Sequence, residues 1–244
     1  MKKLFVLIAA ACMTCTAAFA QTVKPFKEGE RAVFLGNSIT DGGHYHSYIW
    51  LYFMTRFPDM PIRVFNGGIG GDTAYDMNKR LDGDIFAMKP SVLMVTFGMN
   101  DSGYFEYNGD KPKEFGEQKY QESIKNYQQM EKRFKDLPDT RIVMVGTSPY
   151  DETVQLKENT PFKTKNETIK RLVEYQQESA AKNNWEFTDL NAPMTAINQQ
   201  YQQKDPTFTL CGSDRIHPDN DGHMVMAYLF LKAQGFVGKE VADM

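Results

Sequence analysis

Five short apolar runs, each cut off by a turn residue, constrain the fold of this chain more than any other feature. Ala32-Val33-Phe34-Leu35 stops at Gly36, and Ile62-Arg63-Val64-Phe65 stops at Asn66-Gly67-Gly68. Val92-Leu93-Met94-Val95-Thr96-Phe97 stops at Gly98, Ile142-Val143-Met144-Val145 at Gly146, and Trp185-Glu186-Phe187-Thr188 at Asp189. Three of the runs are nearly all apolar, the pattern of strands buried on both faces. Helical spacing fills the gaps between them. Tyr120, Ile124, Tyr127, Met130, Phe134 and Leu137 recur every three or four residues, as do Ile169, Leu172, Val173 and Gln176. Met224 to Leu231 is apolar all round, which predicts a buried final helix. Asp101 to Gly116 has no period and reads as a long loop above the end of the sheet. Strands alternating with helices make βαβ units, hence an α/β fold with a parallel sheet of about five strands covered on both faces.

Ligands of such sheets bind beyond the carboxyl ends of the strands, so the residues just after each run are where chemistry is sought. Gly36-Asn37-Ser38-Ile39-Thr40 follows the first run, and Gly70-Gly71-Asp72-Thr73 follows the second. Gly98-Met99-Asn100-Asp101 follows the third, and Asp214-Arg215-Ile216-His217-Pro218 lies near the C-terminus. These segments carry the parts of an acyl-transfer site. Ser38 places a hydroxyl at a strand-to-helix turn, where a helix N-terminus favours negative charge. The hydroxyl needs a base, and His217 titrates in the right range. Asp214, three residues before it, can orient the imidazole and stabilise its charged form. The developing oxyanion needs donors. The N–H of Ser38, the N–H of Gly71 and the side-chain amide of Asn100 are the candidates, Gly71 because it has no side chain to block a close approach.

The four segments, in this order and spacing, resemble the blocks of the SGNH (GDSL-like) hydrolase superfamily, named for its serine, glycine, asparagine and histidine. Those positions fall on Ser38, Gly71, Asn100 and His217, with Asp214 in the Asp-x-x-His place. The resemblance spans about residues 31 to 235. It implies a three-layer α/β/α sandwich of the SGNH/flavodoxin-like kind and a serine esterase of the exported bacterial acetylesterase type. One position departs from the pattern: the usual first block is Gly-Asp-Ser, and here Asn37 replaces the aspartate. Asparagine keeps the shape and most of the hydrogen bonds.

The rest of the sequence bounds where such a chain works and on what. It has 244 residues, enough for one sizeable domain. Lys2 and Lys3, the apolar run Leu4–Ala11 and the small residues Ala18-Phe19-Ala20 read as a secretory signal over 1–20, followed by a single domain over 21–244. Export to the periplasm or the medium follows, with no membrane insertion after cleavage. Cys12 after Ala9-Ala10-Ala11 suits a lipid anchor less well, because the leucine three residues before it is missing. Without the leader, 26 basic and 31 acidic residues leave a net charge of −5. No basic run tracks a phosphate backbone, so nucleic acid is not an expected partner. Cys211 alone remains and forms no internal disulfide.

Other motifs point elsewhere and fail. Gly68-Ile69-Gly70-Gly71-Asp72-Thr73 imitates a dinucleotide fingerprint, but Thr73 stands in the third glycine's place. The Gly-x-Ser-x-Gly elbow does not occur. His44 and His46 with Asp41 lack a further ligand at metal spacing. Neither cofactor nor metal is expected. Secretion and the polar, aromatic-rich strand-end loops (Tyr104, Tyr107, Tyr150) favour an acylated carbohydrate as substrate, with His46, Tyr104 and Tyr150 as candidate contacts. The expected activity is hydrolysis of O-acyl esters, chiefly O-acetyl, on carbohydrates. A lipid esterase or thioesterase of the same fold, or a glycan-binding pseudo-enzyme suggested by Asn37, stands as the alternative.

Overall fold

The computed structural model describes residues 22–158 and 160–237. The expected leader, with Cys12 and Cys15, lies outside the described residues. Each apolar run forms a strand: β1 (Arg31–Gly36), β2 (Arg63–Gly68), β3 (Val92–Val95), β4 (Arg141–Gly146) and β5 (Glu186–Asp189). They form one parallel sheet in the order β2-β1-β3-β4-β5. The edge strands β2 and β5 are the two whose sequence runs are diluted with polar residues, as their half-open position allows.

Alternation along the central strands builds two separate cores. Ala32, Phe34, Val92, Met94, Val143 and Val145 face one side. Val33, Leu35, Leu93, Val95, Ile142 and Met144 face the other. The first face is covered by α2 (His44–Arg56) and α7 (Asn220–Ala233), through Ile49, Phe53, Met226 and Phe230. The second is covered by α3 (Ala74–Arg80) and α4 (Pro112–Lys135), through Ala74, Met77, Tyr127, Met130 and Phe134. Burial of these side chains stabilises the fold by about 25 cal/mol for each Å² removed from water. α5 (Lys165–Asn183) runs along β4 and β5, α6 (Asn191–Gln202) packs on α5, and the single turn α1 (Ser38–Asp41) sits on the end of β2. Three layers result, as expected.

Two local expectations change. The stretch 101–116 is not all loop: a short 3-10 turn spans Phe105–Asn108, and α4 starts at Pro112. Proline has no N–H to lose in a first turn, so it opens the helix here. The final helix is not buried on every side either. Met224 and Tyr228 face solvent, while Met226, Ala227, Phe230 and Leu231 pack inward. Among the described residues no helix is long and apolar enough to cross a membrane.

Candidate active site

All four sequence blocks end at the carboxyl edge of the sheet. β1 runs into Asn37, whose Oδ1 accepts the Ile39 N–H at 3.1 Å and so caps α1. This sets Ser38 at the first position of that turn. α1 can sit so close to β2 only because Gly68 has no side chain. A Cβ there would lie 2.2 Å from the backbone nitrogen of Asp41. Gly71 needs its lack of side chain for another reason than expected. A Cβ at Gly71 would meet nothing within 4 Å, but φ is +83°, a region that favours glycine. The requirement is torsional, not one of space.

Ser38 Oγ lies 2.7 Å from His217 Nε2, and His217 Nδ1 lies 2.5 Å from Asp214 Oδ2. With Nδ1–H donating to the carboxylate, Nε2 is the lone-pair nitrogen that accepts from the Ser38 hydroxyl. The other Asp214 oxygen accepts the backbone N–H groups of Ile216 and His217, both at 2.9 Å, which closes the turn on itself. The His217 and Asp214 side chains are 49% and 47% exposed, so this limb borders solvent. The hydrogen bond to Asp214 holds the His217 pKa above its ordinary 6.5 against partial burial, with the charge of Asp214 adding to it. For Asp214, burial pulls the carboxyl upward. Its bonds from the His217 ring and from the His217 and Ile216 backbone outweigh this and leave it below the usual carboxylate value.

Arg215 anchors this turn from behind. It is buried with φ +69°, and its guanidinium donates to the carbonyls of Asp151 at 3.1 Å and Val154 at 2.7 Å. Its own carbonyl accepts the Asp151 N–H at 3.0 Å.

The opposite limb is tied into the interior. Asn100 Nδ2 donates to the Asp72 carbonyl at 2.9 Å, leaving its second amide hydrogen for another acceptor. The Asn100 Oδ1 accepts the Tyr104 hydroxyl at 2.5 Å. Asp72 in turn accepts from Arg80 Nε at 2.6 Å, and Arg80 also donates to the carbonyls of Gly36 and Gly67 at the ends of β1 and β2. Asp101 is fully engaged: Oδ1 accepts the Ala74 N–H and the Ser123 hydroxyl, and Oδ2 accepts the Gly98 N–H. Arg80, Arg215 and Lys165, which lies behind Asn100, carry no signal in sequence that separates them from surface charges.

The proposed substrate contacts fare differently. His46 is buried, its Nε2 3.2 Å from the Thr40 carbonyl and its ring packed on Phe34 and Tyr45. Burial, with the charge of His44 adding to it, lowers its pKa despite that carbonyl. Tyr150 is buried too, stacked on Phe162 and accepting the Phe162 N–H on its hydroxyl. Tyr107 is buried; its hydroxyl donates to the Ser102 carbonyl and lies 2.9 Å from Thr168 Oγ1, whose hydrogen it can accept. None of these three offers a ring face to a sugar, because each is consumed by the core. Tyr104 is half-buried, with its hydroxyl spent on Asn100. The aromatic that does reach solvent in this loop is Phe105, 79% exposed. His44 stays exposed and stacks on His223, whose burial takes its imidazole down to about 4 and whose Nδ1 has no partner among the described residues. Among the described residues no group of three or more His, Cys, Asp or Glu side chains is placed to hold a metal ion.

Residues 34–225 match the model of the GDSL-like Lipase/Acylhydrolase family. The chain belongs to that family. Its GDSL-like domain is similar to an acetylxylan esterase of Geobacillus stearothermophilus, 27% identical over 224 residues that cover 85% of this chain and 95% of the relative. It is also similar to a solved gut microbial diltiazem-metabolizing enzyme, with a TM-score of 0.89 and 85% identity over 90% of this chain. The present chain spans 50% of that solved chain's length. A crystal structure of a catalytic serine-to-alanine mutant of the Geobacillus stearothermophilus acetylxylan esterase superposes with a TM-score of 0.69 at 24% identity, over 86% of this chain and 96% of that one. This likeness concerns the fold. The GDSL-like chain is a serine esterase of the SGNH type.

Proposed function

We propose that this esterase removes O-acetyl groups from carbohydrates through an acyl-enzyme formed on Ser38. The observation that carries the reading is the unbroken line from Ser38 Oγ to His217 Nε2 and from His217 Nδ1 to Asp214, at 2.7 and 2.5 Å. Ser38 Oγ attacks the ester carbonyl and its proton passes to His217 Nε2. The new oxyanion takes hydrogen bonds from the N–H groups of Ser38 and Gly71 and from the free amide hydrogen of Asn100. His217 then gives the proton to the departing sugar hydroxyl as the C–O bond breaks. Water, deprotonated by the same imidazole, frees acetate from Ser38. Asn37 fits a working site, since its helix-capping bond is one that an aspartate in the same place also makes.

The acetyl-on-sugar assignment is supported by the acetylxylan esterase relative. The half-exposed His217 and Asp214 side chains support it too, because a rim open to solvent suits a bulky alcohol on a polymer. The relative that metabolises diltiazem supports a site that also takes drug-sized molecules. Working outside the cytoplasm, after loss of residues 1–20, belongs to the same reading.

The test is turnover of acetylated xylooligosaccharides, diltiazem, p-nitrophenyl acetate and p-nitrophenyl octanoate by the protein and by Ser38→Ala. Acetyl esters should be cleaved far faster than the octanoate, since each added methylene in a tight pocket changes specificity by about tenfold or more. Ser38→Ala should lose several orders of magnitude. Equal or faster octanoate cleavage would move the assignment to a lipid esterase, and no turnover at all would leave the glycan-binding alternative.

A further inference from the structure

Lys165, the first residue of α5, is wholly buried, yet it is not part of the serine–histidine–aspartate line. Its Nζ donates to the Met99 carbonyl at 2.7 Å, to Ser102 Oγ at 2.6 Å and to the Gly103 carbonyl at 2.5 Å. An ammonium has three hydrogens and no acceptor, so the three bonds use it completely. All three acceptors belong to the turn that leaves β3 and carries Asn100. The ammonium also lies 3.9 Å from the ring centroid of Tyr104, and the hydroxyl of that ring donates to Asn100 Oδ1 at 2.5 Å. Two routes therefore run from one buried cation to one carboxamide, the first through the backbone of 99–103 and the second through the Tyr104 ring. Burying a lysine is costly, and this one lies where it braces the Asn100 donor.

We propose that Lys165 is a positioning residue of the esterase site: through the 99–103 turn and the Tyr104 ring it holds the Asn100 carboxamide in the orientation an oxyanion needs. The inference rests on the donor role given to Asn100 above. A consequence concerns pH. Burial brings the Lys165 pKa down to about 7, with Asp101 and Glu152 pulling the other way. The groups facing it are those two carboxyls, the Ser102 hydroxyl and the rings of Tyr104 and Tyr150. Tyr104 in turn feels Asp214, and with burial as the larger cause its hydroxyl stays protonated far into alkali. Once Lys165 loses its proton, one N–H and the attraction to the Tyr104 ring are lost together. Activity should then fall on the alkaline side, while His217 sets the rise on the acid side.

The experiment measures kcat and KM for p-nitrophenyl acetate from pH 6 to 9. The proteins are wild type, Lys165→Met, Tyr104→Phe, Asn100→Ala and the Tyr104→Phe/Asn100→Ala double variant. Tyr104→Phe should lower kcat about tenfold with KM within about twofold, since a misplaced donor costs rate and not ground-state binding. In the Asn100→Ala background the same change should cost less than about twofold, because its target is gone. Lys165→Met should lower kcat by about ten- to a hundredfold and lose the alkaline fall. A Tyr104→Phe kcat within twofold of wild type overturns the proposal, as does an undiminished Tyr104→Phe effect on top of Asn100→Ala. A Lys165→Met protein that keeps the wild-type alkaline limb overturns it too. If Lys165→Met does not fold, the Tyr104–Asn100 cycle decides alone. A wild type inactive on every acetyl ester would instead sink the esterase reading, a result separable from all of these.

Discussion

The two limbs of the site are built in opposite ways. The base limb, Asp214 to His217, is a self-bonded turn with half-exposed side chains, pinned behind by one buried arginine. The donor limb, Asp72 and Asn100, lies inside a web that runs from Arg80 through Asp72, Asn100 and Tyr104 to Lys165, with Asp101 fastening the same turn to α3 and α4. The contrast suits the role proposed above for each limb. A base must change its protonation state in every cycle and exchange protons with water and with a departing alcohol, so solvent at its edge is an advantage. Donors for an oxyanion act best when fixed beforehand in a dry surrounding, where no reorganisation is required as charge develops. The base limb should therefore be chemically sensitive and structurally dispensable. The donor limb should be sensitive in both respects.

The largest break in that contrast comes from Asp214→Asn. An amide facing His217 Nδ1 favours the wrong tautomer, and kcat should drop by about 10³- to 10⁴-fold. Unfolding in urea should shift by less than about 1 kcal/mol, since both side chains are half-exposed. Asn100→Ala comes next, with a loss of about 10²- to 10³-fold in kcat and little change in KM, read by steady-state kinetics. Asp101→Ala sharpens the structural half of the comparison. It orphans the Ala74 and Gly98 N–H groups and the Ser123 hydroxyl, and should cost about 3 kcal/mol or more in urea unfolding. An Asp101→Ala protein as stable as wild type would erase the distinction between the limbs.

The pH profile gives a smaller effect. His217 must be neutral to accept the Ser38 proton, and its bond to Asp214 raises its pKa. The acid limb of kcat/KM should therefore have its midpoint above 6.5 and move down in Asp214→Asn. The smallest effect is expected for Asn37→Asp. The Ile39 N–H finds the same acceptor, so kcat/KM should stay within about tenfold of wild type, or about 1.4 kcal/mol in barrier. A rise far above tenfold would mark the native asparagine as a loss of function.

Sequence and structure agree where short-range pattern decides. β1 to β5 follow from runs whose burial is written in consecutive residues, and the blocks carrying Ser38, Asn100, Asp214 and His217, whose roles are proposed above, lie right after strands or before the last helix. The reading fails where burial is set by partners far away in the chain. Lys165 sits 62 residues or more from every acceptor of its ammonium, and Arg80 reaches back 44 residues to Gly36. Seen locally, both are ordinary helix-end cations. His46, Tyr107 and Tyr150 mislead in the other direction. Aromatics beside the blocks suggest a sugar platform, but side-chain direction on α2 and in the loops sends them into the core. Phe105, the ring that does reach solvent there, is flagged by nothing in its neighbours.

Everything chemical here depends on Ser38 being the atom that takes the acyl group. Incubation with a fluorophosphonate, followed by intact-mass measurement and peptide mapping, reads this without reference to any natural substrate. One equivalent of label should appear on Ser38. It should form faster as pH rises through the His217 pKa, and it should be absent from Ser38→Ala. A protein that takes no label, or a Ser38→Ala variant labelled as fully as wild type, would contradict the serine–histidine–aspartate site described for this chain.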